Sequence, residues 1–363
     1  MGPGGSRLVS VMYVDAMDLR CSSCDVAADP LAWACPSCGG PLDVPSIPLA
    51  GSPAGEGVWR YRDWLPAVDG VSLGEPTTPL VRMPWDGLDL TLKLEGALPT
   101  GSFKDRGTAV LVSWLAAHGA SSVVIDSSGN AGAALAAYSA RAGLTCHVYA
   151  PASASPGKLR QIAAYGAELH AVPGTRQAVA DAAVEHARAT GDVYASHAWH
   201  AMFIAGTRTF AFEAWEQMGV PDAVVLPVGA GTLMLGLAHG FADLRAAGLT
   251  DRVPEIYAIQ STACAPLVTD GPEPVEVVVG DTAAEGVKIA HPPRGRAIIA
   301  HATDVLAVDD AALWTAHERF RRAGVYTEPT SALAPAGLTR LTGRLTGKAV
   351  LMPITATGLK SPA

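Results

Sequence analysis

Two sets of residues in this chain have types and spacings that could do chemistry. The first centres on Lys104, in the small-residue turn Gly101-Ser102-Phe103-Lys104-Asp105-Arg106-Gly107 that leads into the helical pattern TAVLVSWLAAHG. A lysine amine in water is almost fully protonated near neutrality. At a partly desolvated helix N-terminus the positive end of the helix dipole lowers its pKa and frees a nucleophile able to form a Schiff base. Helix starts rich in Ser, Asp and Lys are also ordinary solvated surfaces, so the rest of the chain has to decide. Two further glycine-rich turns follow, Ser127-Ser128-Gly129-Asn130-Ala131-Gly132 and Gly229-Ala230-Gly231-Thr232, each after an apolar run and before a helical one. Backbone N–H groups at such turns, backed by a helix dipole, hold carboxylates and phosphates.

The second set is Cys21-x-x-Cys24 and Cys35-x-x-Cys38, with ten residues between the pairs. Each pair forms a knuckle, and two knuckles complete a closed tetrahedral site of the structural zinc type, with disulfides or iron as the alternatives. Pro36, Gly39 and Gly40 supply the tight turns. Cys146 and Cys264 sit in apolar runs and read as core residues.

The chain of 363 residues is 49% hydrophobic and carries a net charge of -8, which fits buried cores and argues against a nucleic-acid partner. Its first residues, MGPGGSRLVSVMYVDAM, are too weakly apolar for a signal core or a membrane span, so the expected setting is cytoplasmic; residues 1–6 read as a flexible lead.

The elements that must position these residues follow from periodicity. Pro45 to Gly57 reads as a linker, and LGEPTTPL as an extended approach to a strand at Leu90 to Leu94. From Ser121 the pattern alternates: strand SVVID, helix Asn130 to Arg141, strand TCHVYAP, helix Pro156 to Tyr165, strand AELHAV. A second block runs from the strand at Ala223 to Val228 through a helix at Leu233 to Ala246, a strand at Glu255 to Gln260 and a helix at Ala311 to Ala323, and closes on Ala349 to Ile354. Gly271 to Gly280 reads as a surface loop. This alternation predicts an α/β protein with two doubly wound parallel-sheet domains and an N-terminal zinc-ribbon-like module. The expected domains are 1–50 (lead and ribbon), 51–107 with 205–363 (larger) and 108–204 (smaller). Ligands of such sheets bind beyond the carboxyl ends of the strands, where all three glycine-rich turns fall.

Taken together, LGEPTTPL, PTGSFKDRG, SSGNAG, VGAGT, Glu328-Pro329-Thr330-Ser331-Ala332 and Thr355-Ala356-Thr357-Gly358-Leu359-Lys360 resemble threonine synthase and its relatives. These are pyridoxal-phosphate enzymes of the tryptophan synthase β-like fold, fold type II, many of which are similar in the cysteine ribbon as well. The resemblance implies that Lys104 carries pyridoxal 5'-phosphate as a Schiff base, with Phe103 packed beside it and Asn130 on the ring hydroxyl. It implies that Gly229, Ala230, Gly231, Thr232 and Leu233 hold the cofactor phosphate, that Ser127, Ser128, Gly129, Asn130 and Ala131 take an amino-acid carboxylate, and that Thr355 faces the pyridine nitrogen. A hydroxyl there does not hold the ring protonated, which suits elimination and replacement better than transamination. The implied reaction is α-deprotonation by Lys104 followed by loss of a β or γ leaving group, in a lyase or synthase that is usually a homodimer.

One stretch departs from that pattern. Members acting on O-phosphohomoserine carry an Asn-Ser-x-Asn segment and a following arginine ahead of Gly-x-x-Thr-x-x-x-Glu. Here Gly206 to Glu213 preserves the second part, but the first reads His197-Ala198-Trp199-His200-Ala201-Met202-Phe203. An aromatic cannot pair a phosphate dianion. His197 and His200 are candidate substrate residues, or merely pocket walls. The departure favours a relative that eliminates or replaces at the β carbon of another amino acid, a dehydratase, ammonia-lyase or synthase, with threonine synthase proper as the alternative and a non-catalytic binding protein on the same fold as a third reading. A nicotinamide dehydrogenase is disfavoured, because no G-x-G-x-x-G follows a strand with an acidic residue about twenty on.

Overall fold

The computed structural model describes residues 19–44, 46–66, 69–154 and 156–360, so the lead read at residues 1–6 lies outside the described residues. In chain order the strands are β1 (Leu19–Cys21), β2 (Ala27–Ala28), β3 (Leu42–Asp43), β4 (Leu80–Trp85), β5 (Leu88–Leu94), β6 (Ser122–Ile125), β7 (Thr145–Pro151), β8 (Glu168–Val172), β9 (Val193–Tyr194), β10 (Ala223–Pro227), β11 (Glu255–Ser261), β12 (Asp304–Val308) and β13 (Ala349–Ile354). The helices are α1 (Lys104–Ala117), α2 (Asn130–Ala142), α3 (Pro156–Ala164), α4 (Arg176–Thr190), α5 (Ala201–Thr207), α6 (Thr209–Met218), α7 (Thr232–Ala246), α8 (Gly295–His301), α9 (Asp310–Arg322) and α10 (Leu333–Leu345). Among the described residues no helix is long and apolar enough to cross a membrane.

The chain forms two compact units, one from residues up to Glu75 together with Lys104–Thr209, the other from Pro76–Phe103 and Phe210 onward. These bounds differ from the sequence reading, which set residues 51–75 with the larger domain. Polar contacts explain the difference: Val71 N–H donates to Ser113 Oγ at 2.8 Å, and Tyr138 OH donates to Glu75 Oε1 at 2.6 Å, both inside the first unit.

In the first unit the sheet order is β8-β7-β6-β9, all parallel. Along β7 the inward residues alternate, with Cys146, Val148 and Ala150 buried on one side and His147 and Tyr149 half-buried on the other. Helix α4 covers the Tyr149 side through Ala183 and Ala187. The three short strands β1 to β3 pair antiparallel in the order β2-β1-β3 around the cysteines. The segment is tied down by Trp114 Nε1, which donates to Pro30 O at 2.7 Å, and by Arg208 Nη2, which donates to Val44 O at 3.1 Å. Helix α1 is buried from Asp105 to Leu115, as an all-round packed helix must be. It touches α5 backbone to backbone: a Cβ on Gly206 would stand 2.3 Å from Arg106 O.

In the second unit the order is β12-β11-β10-β13-β5-β4. The expected parallel sheet needs a correction here. It is mixed, because β4 runs antiparallel to β5 at one edge. The cause is local: Asp86 and Gly87 both have positive φ, 49° and 79°, the signature of a two-residue hairpin turn. One face of the sheet, from Leu90, Val225, Ile259 and Met352, packs on Leu313 and Phe320 of α9 and Leu338 and Leu341 of α10. The intervening residues Val224, Leu226 and Leu351 are buried too, so both faces are covered. Within this unit Lys93 and Glu213 form a buried ion pair at 2.7 Å, and Glu213 Oε1 also accepts from the N–H and hydroxyl of Thr78.

Candidate active site

Lys104 is the first residue of α1, and its Nζ lies 5.6 Å over the ring of Phe203. Phe203, on α5, is buried and presses on α1 where Gly107 leaves room; a Cβ there would stand 2.6 Å from the ring. His197 meets the same ring edge-on at 5.7 Å, and its Nδ1 is buried with no hydrogen-bond partner. Burial, then the positive charges of Lys104 and Arg176, hold the His197 imidazole well below its usual pKa. It is therefore neutral at neutral pH, a poor partner for a dianion. His200 instead caps α5, its Nδ1 accepting the N–H of Met202 at 3.3 Å. The structure thus brings Lys104, Phe203 and His197 together and leaves His200 in the helix cap. Arg208 is buried and spends a guanidinium N–H on Val44 O.

The turn from Ser127 to Ala131 joins the carboxyl end of β6 to α2, with Gly129 at the cap and Asn130 as the first helical residue. Its closeness to α2 depends on Gly132, where a Cβ would sit 1.9 Å from Ser127 O. We expect Gly132→Ala to displace that carbonyl and to cost roughly 1–3 kcal/mol, read as a lowered midpoint in urea unfolding with an unchanged slope. An unchanged midpoint would show that the turn adapts freely. Beside the turn, Asp126 is buried and held by Tyr194 OH at 2.7 Å and Arg176 at 2.5 Å. Sequence reading missed this pair; the available signal was an arginine placed directly after the helix cap Thr175.

In the second unit, Gly229 to Leu233 lead from β10 into α7, a helix of 15 residues. Gly231 caps it in the left-handed region at φ 73°, and a Cβ there would stand 2.2 Å from Ile298 Cδ1. A Cβ on Gly229 would meet Val287 Cα at 2.8 Å. Only glycines fit, and they leave the first N–H groups of α7 bare of side chains, the geometry that suits a phosphate. Thr355 follows β13, and its hydroxyl pairs with Ser331 Oγ at 2.7 Å. Phe103 N–H donates to Thr355 O at 2.9 Å, which ties the residue before the lysine to the end of that strand. Ser331 belongs to one of the sequence motifs, yet its part in orienting Thr355 was not legible there. Ser102 Oγ is fully buried and without a hydrogen-bond partner. The residues present in each unit fit pyridoxal phosphate: in the first an amine for its aldehyde, in the second a glycine cradle for its phosphate and a hydroxyl for its ring nitrogen.

The four cysteines converge. Cys21 and Cys38 Sγ lie 3.4 Å apart, and Cys24 Sγ lies 3.6 Å from those of Cys35 and Cys38. These spacings exceed a disulfide bond of about 2.05 Å and approach the roughly 3.8 Å edge of a tetrahedron with Zn–S bonds near 2.3 Å. Ser23 and Ser37 N–H groups donate to Cys21 and Cys35 at 3.4 Å, two residues on in each knuckle. The Ser23 N–H, first among several causes, brings the Cys21 thiol down to about 6.

Comparisons with known proteins agree in kind. The family described as pyridoxal-phosphate dependent enzyme matches residues 71–356. A threonine synthase of Mycobacterium leprae (strain TN) is 33% identical over 319 residues, 83% of this chain and 88% of that protein. One from Methanocaldococcus jannaschii is 34% identical over 307 residues, covering 78% and 75%. Among solved structures, a T.th. threonine deaminase superposes with a TM-score of 0.68 at 25% identity, covering 78% of this chain and 93% of that one.

Proposed function

The chain belongs to the pyridoxal-phosphate dependent enzyme family and is a threonine synthase-like lyase, and on that premise we propose that Lys104 is its cofactor anchor and its base. When bound, pyridoxal phosphate supplies the electron sink that lets a Cα–H bond break and a β or γ leaving group depart. Everything else falls to the chain. Lys104 Nζ would hold the aldehyde and, when free of it, would take and return the α-proton of the substrate. Phe203, beneath that amine, keeps water from one side of it. Asn130 holds the ring hydroxyl, Phe103 packs beside the ring, and Gly229 to Leu233 hold the phosphate. Thr355, steadied by Ser331, would offer the ring nitrogen a hydroxyl, which does not hold it protonated. Ser127 to Ala131 receive the substrate carboxylate on the N-terminus of α2.

For the substrate, one observation carries the reading: the wall at His197 and Phe203 is a neutral imidazole and an aromatic ring. Neither compensates a phosphate dianion, and Arg176 nearby is already matched by Asp126. We infer an amino acid whose leaving group is smaller and less charged than phosphate, such as a β-hydroxyl or its ester. The names of the relatives favour the second reading, threonine synthase proper acting on O-phosphohomoserine. Mixing the purified protein with serine, threonine, O-acylated serine and O-phosphohomoserine, and scoring both the cofactor spectrum and the products, tests this. We expect the hydroxyl or acyl substrates to respond most strongly. A response to O-phosphohomoserine alone, with threonine released, overturns the reading of His197 and Phe203.

The four thiols we assign to a structural zinc ion, on the strength of their convergence and of the knuckle N–H bonds to Cys21 and Cys35. The homodimer is carried over from the resemblance alone.

A further inference from the structure

We propose that His147, His186 and Asp192 form a second metal site, for a divalent transition ion of the zinc class, at the amino end of the four-stranded sheet of the first unit. Their ligand atoms lie within 4.8 Å of one another. His147 is on β7, His186 towards the C-terminal end of α4, and Asp192 just ahead of β9, so three elements converge there. The Ser127 turn lies at the other end of the same sheet, after β6.

The hydrogen bonds around the three side chains leave their donor atoms aimed inward. His147 Nδ1 faces His170 Nε2 at 3.1 Å and Glu168 Oε2 at 3.4 Å, so this nitrogen is where a proton is best used. The lone pair then falls on Nε2, which points at Asp192 Oδ2 across 3.6 Å. A cation seated between these two atoms would be a ligand-bridging one. Ligands at about 2.0–2.1 Å from a tetrahedral zinc stand roughly 3.3 Å apart, close to that gap. On the other side His186 Nε2 donates to the same carboxylate oxygen at 2.7 Å; the ion takes the place of that proton, which is released, and the contact widens by about half an ångström. His186 Nδ1 has its own partner, Tyr149 OH at 3.0 Å. Both histidines therefore carry, on the nitrogen turned away, the hydrogen bond that orients a ligating imidazole. Two imidazoles and a carboxylate, half-buried, leave a further position for water, and this donor set suits zinc better than calcium or magnesium.

The test uses the full-length protein, stripped with a chelator, reloaded with zinc, desalted and measured by elemental analysis. Because Cys21, Cys24, Cys35 and Cys38 converge as a separate candidate set, a Cys24→Ser variant is run in parallel. We expect His186→Asn and Asp192→Asn each to lose one zinc equivalent relative to the parent while the Cys24→Ser variant keeps that equivalent. Tyr149→Phe leaves all three ligands in place and should weaken this zinc by about 10–100-fold in a titration; it decides the matter if a ligand variant fails to fold. Zinc content unchanged in His186→Asn and Asp192→Asn, or an unshifted titration in Tyr149→Phe, overturns the proposal. None of these readouts involves turnover, so they stand or fall apart from the cofactor chemistry.

Discussion

Lys104→Ala is expected to give a folded protein that no longer shows the long-wavelength absorbance of a lysine-bound cofactor and whose turnover is at least about 10³-fold lower. Removing a positioned base alone costs 10²–10⁴-fold, and here the same amine is the covalent anchor. The fold should survive the change, since the amine contacts the Phe203 face and the buried stretch of α1 begins at the next residue, Asp105. Borohydride reduction and peptide mapping provide the check in the parent protein, where the label should appear on Lys104. Full activity in the variant, or a label elsewhere, ends the assignment.

The largest stability effect is expected far from that amine in the sequence, at Glu213. Its carboxylate accepts from Lys93 Nζ and from Thr78 N–H, both at 2.7 Å, with the Lys93 and Glu213 side chains 0% and 2% exposed. Glu213→Ala removes the negative partner and leaves the ammonium buried, which costs about 3–5 kcal/mol. For a chain of this size the melting temperature should fall by on the order of 10 °C. The double variant Lys93→Met with Glu213→Leu should recover much of the loss, because both members of this ion pair are then replaced together. A single variant within about 1 kcal/mol of the parent would mean that Gln217 Oε1 and Thr78 O, which accept from Lys93 at 2.6 and 3.2 Å, satisfy the ammonium without the carboxylate.

These two residues also show how sequence and structure divide the information. Glu213 and Lys104 both lie in recognisable sequence motifs, but only Lys104 received a chemical role there. The Gly206, Thr209 and Glu213 spacing turns out to serve packing. Gly206 admits the backbone of α1, Thr209 hydroxyl bonds back to Gly206 O at 2.8 Å, and Glu213 neutralises Lys93. Strands bounded by glycine turns were legible to the residue at Thr145–Pro151 and Ala349–Ile354, since an apolar run between strong breakers admits few alternatives. Strand β4 was not legible: Pro84 weakens its strand signal, and its place at the sheet edge is what makes the proline tolerable. The Thr355 to Ser331 and Asp126 to Arg176 pairs were out of reach for another reason. Each joins residues far apart in the chain, and no periodicity encodes such a meeting. The imidazoles of His147, His170 and His186 escaped notice likewise, being single residues on three separate elements.

The pairing of β5 with β13 has a consequence for biosynthesis. Asp89 finds its partner in Ala349, and Leu94 in Ile354, so β5 completes its hydrogen bonds only with a strand synthesised roughly 255 residues later. At about 5–20 residues per second of translation the wait is roughly tens of seconds. Through that interval the nascent hairpin of β4 and β5 shows its Leu90 and Leu92 edge to the cell. A chaperone that shields it should raise the yield of folded protein, and messages truncated ahead of β13 should yield only insoluble product.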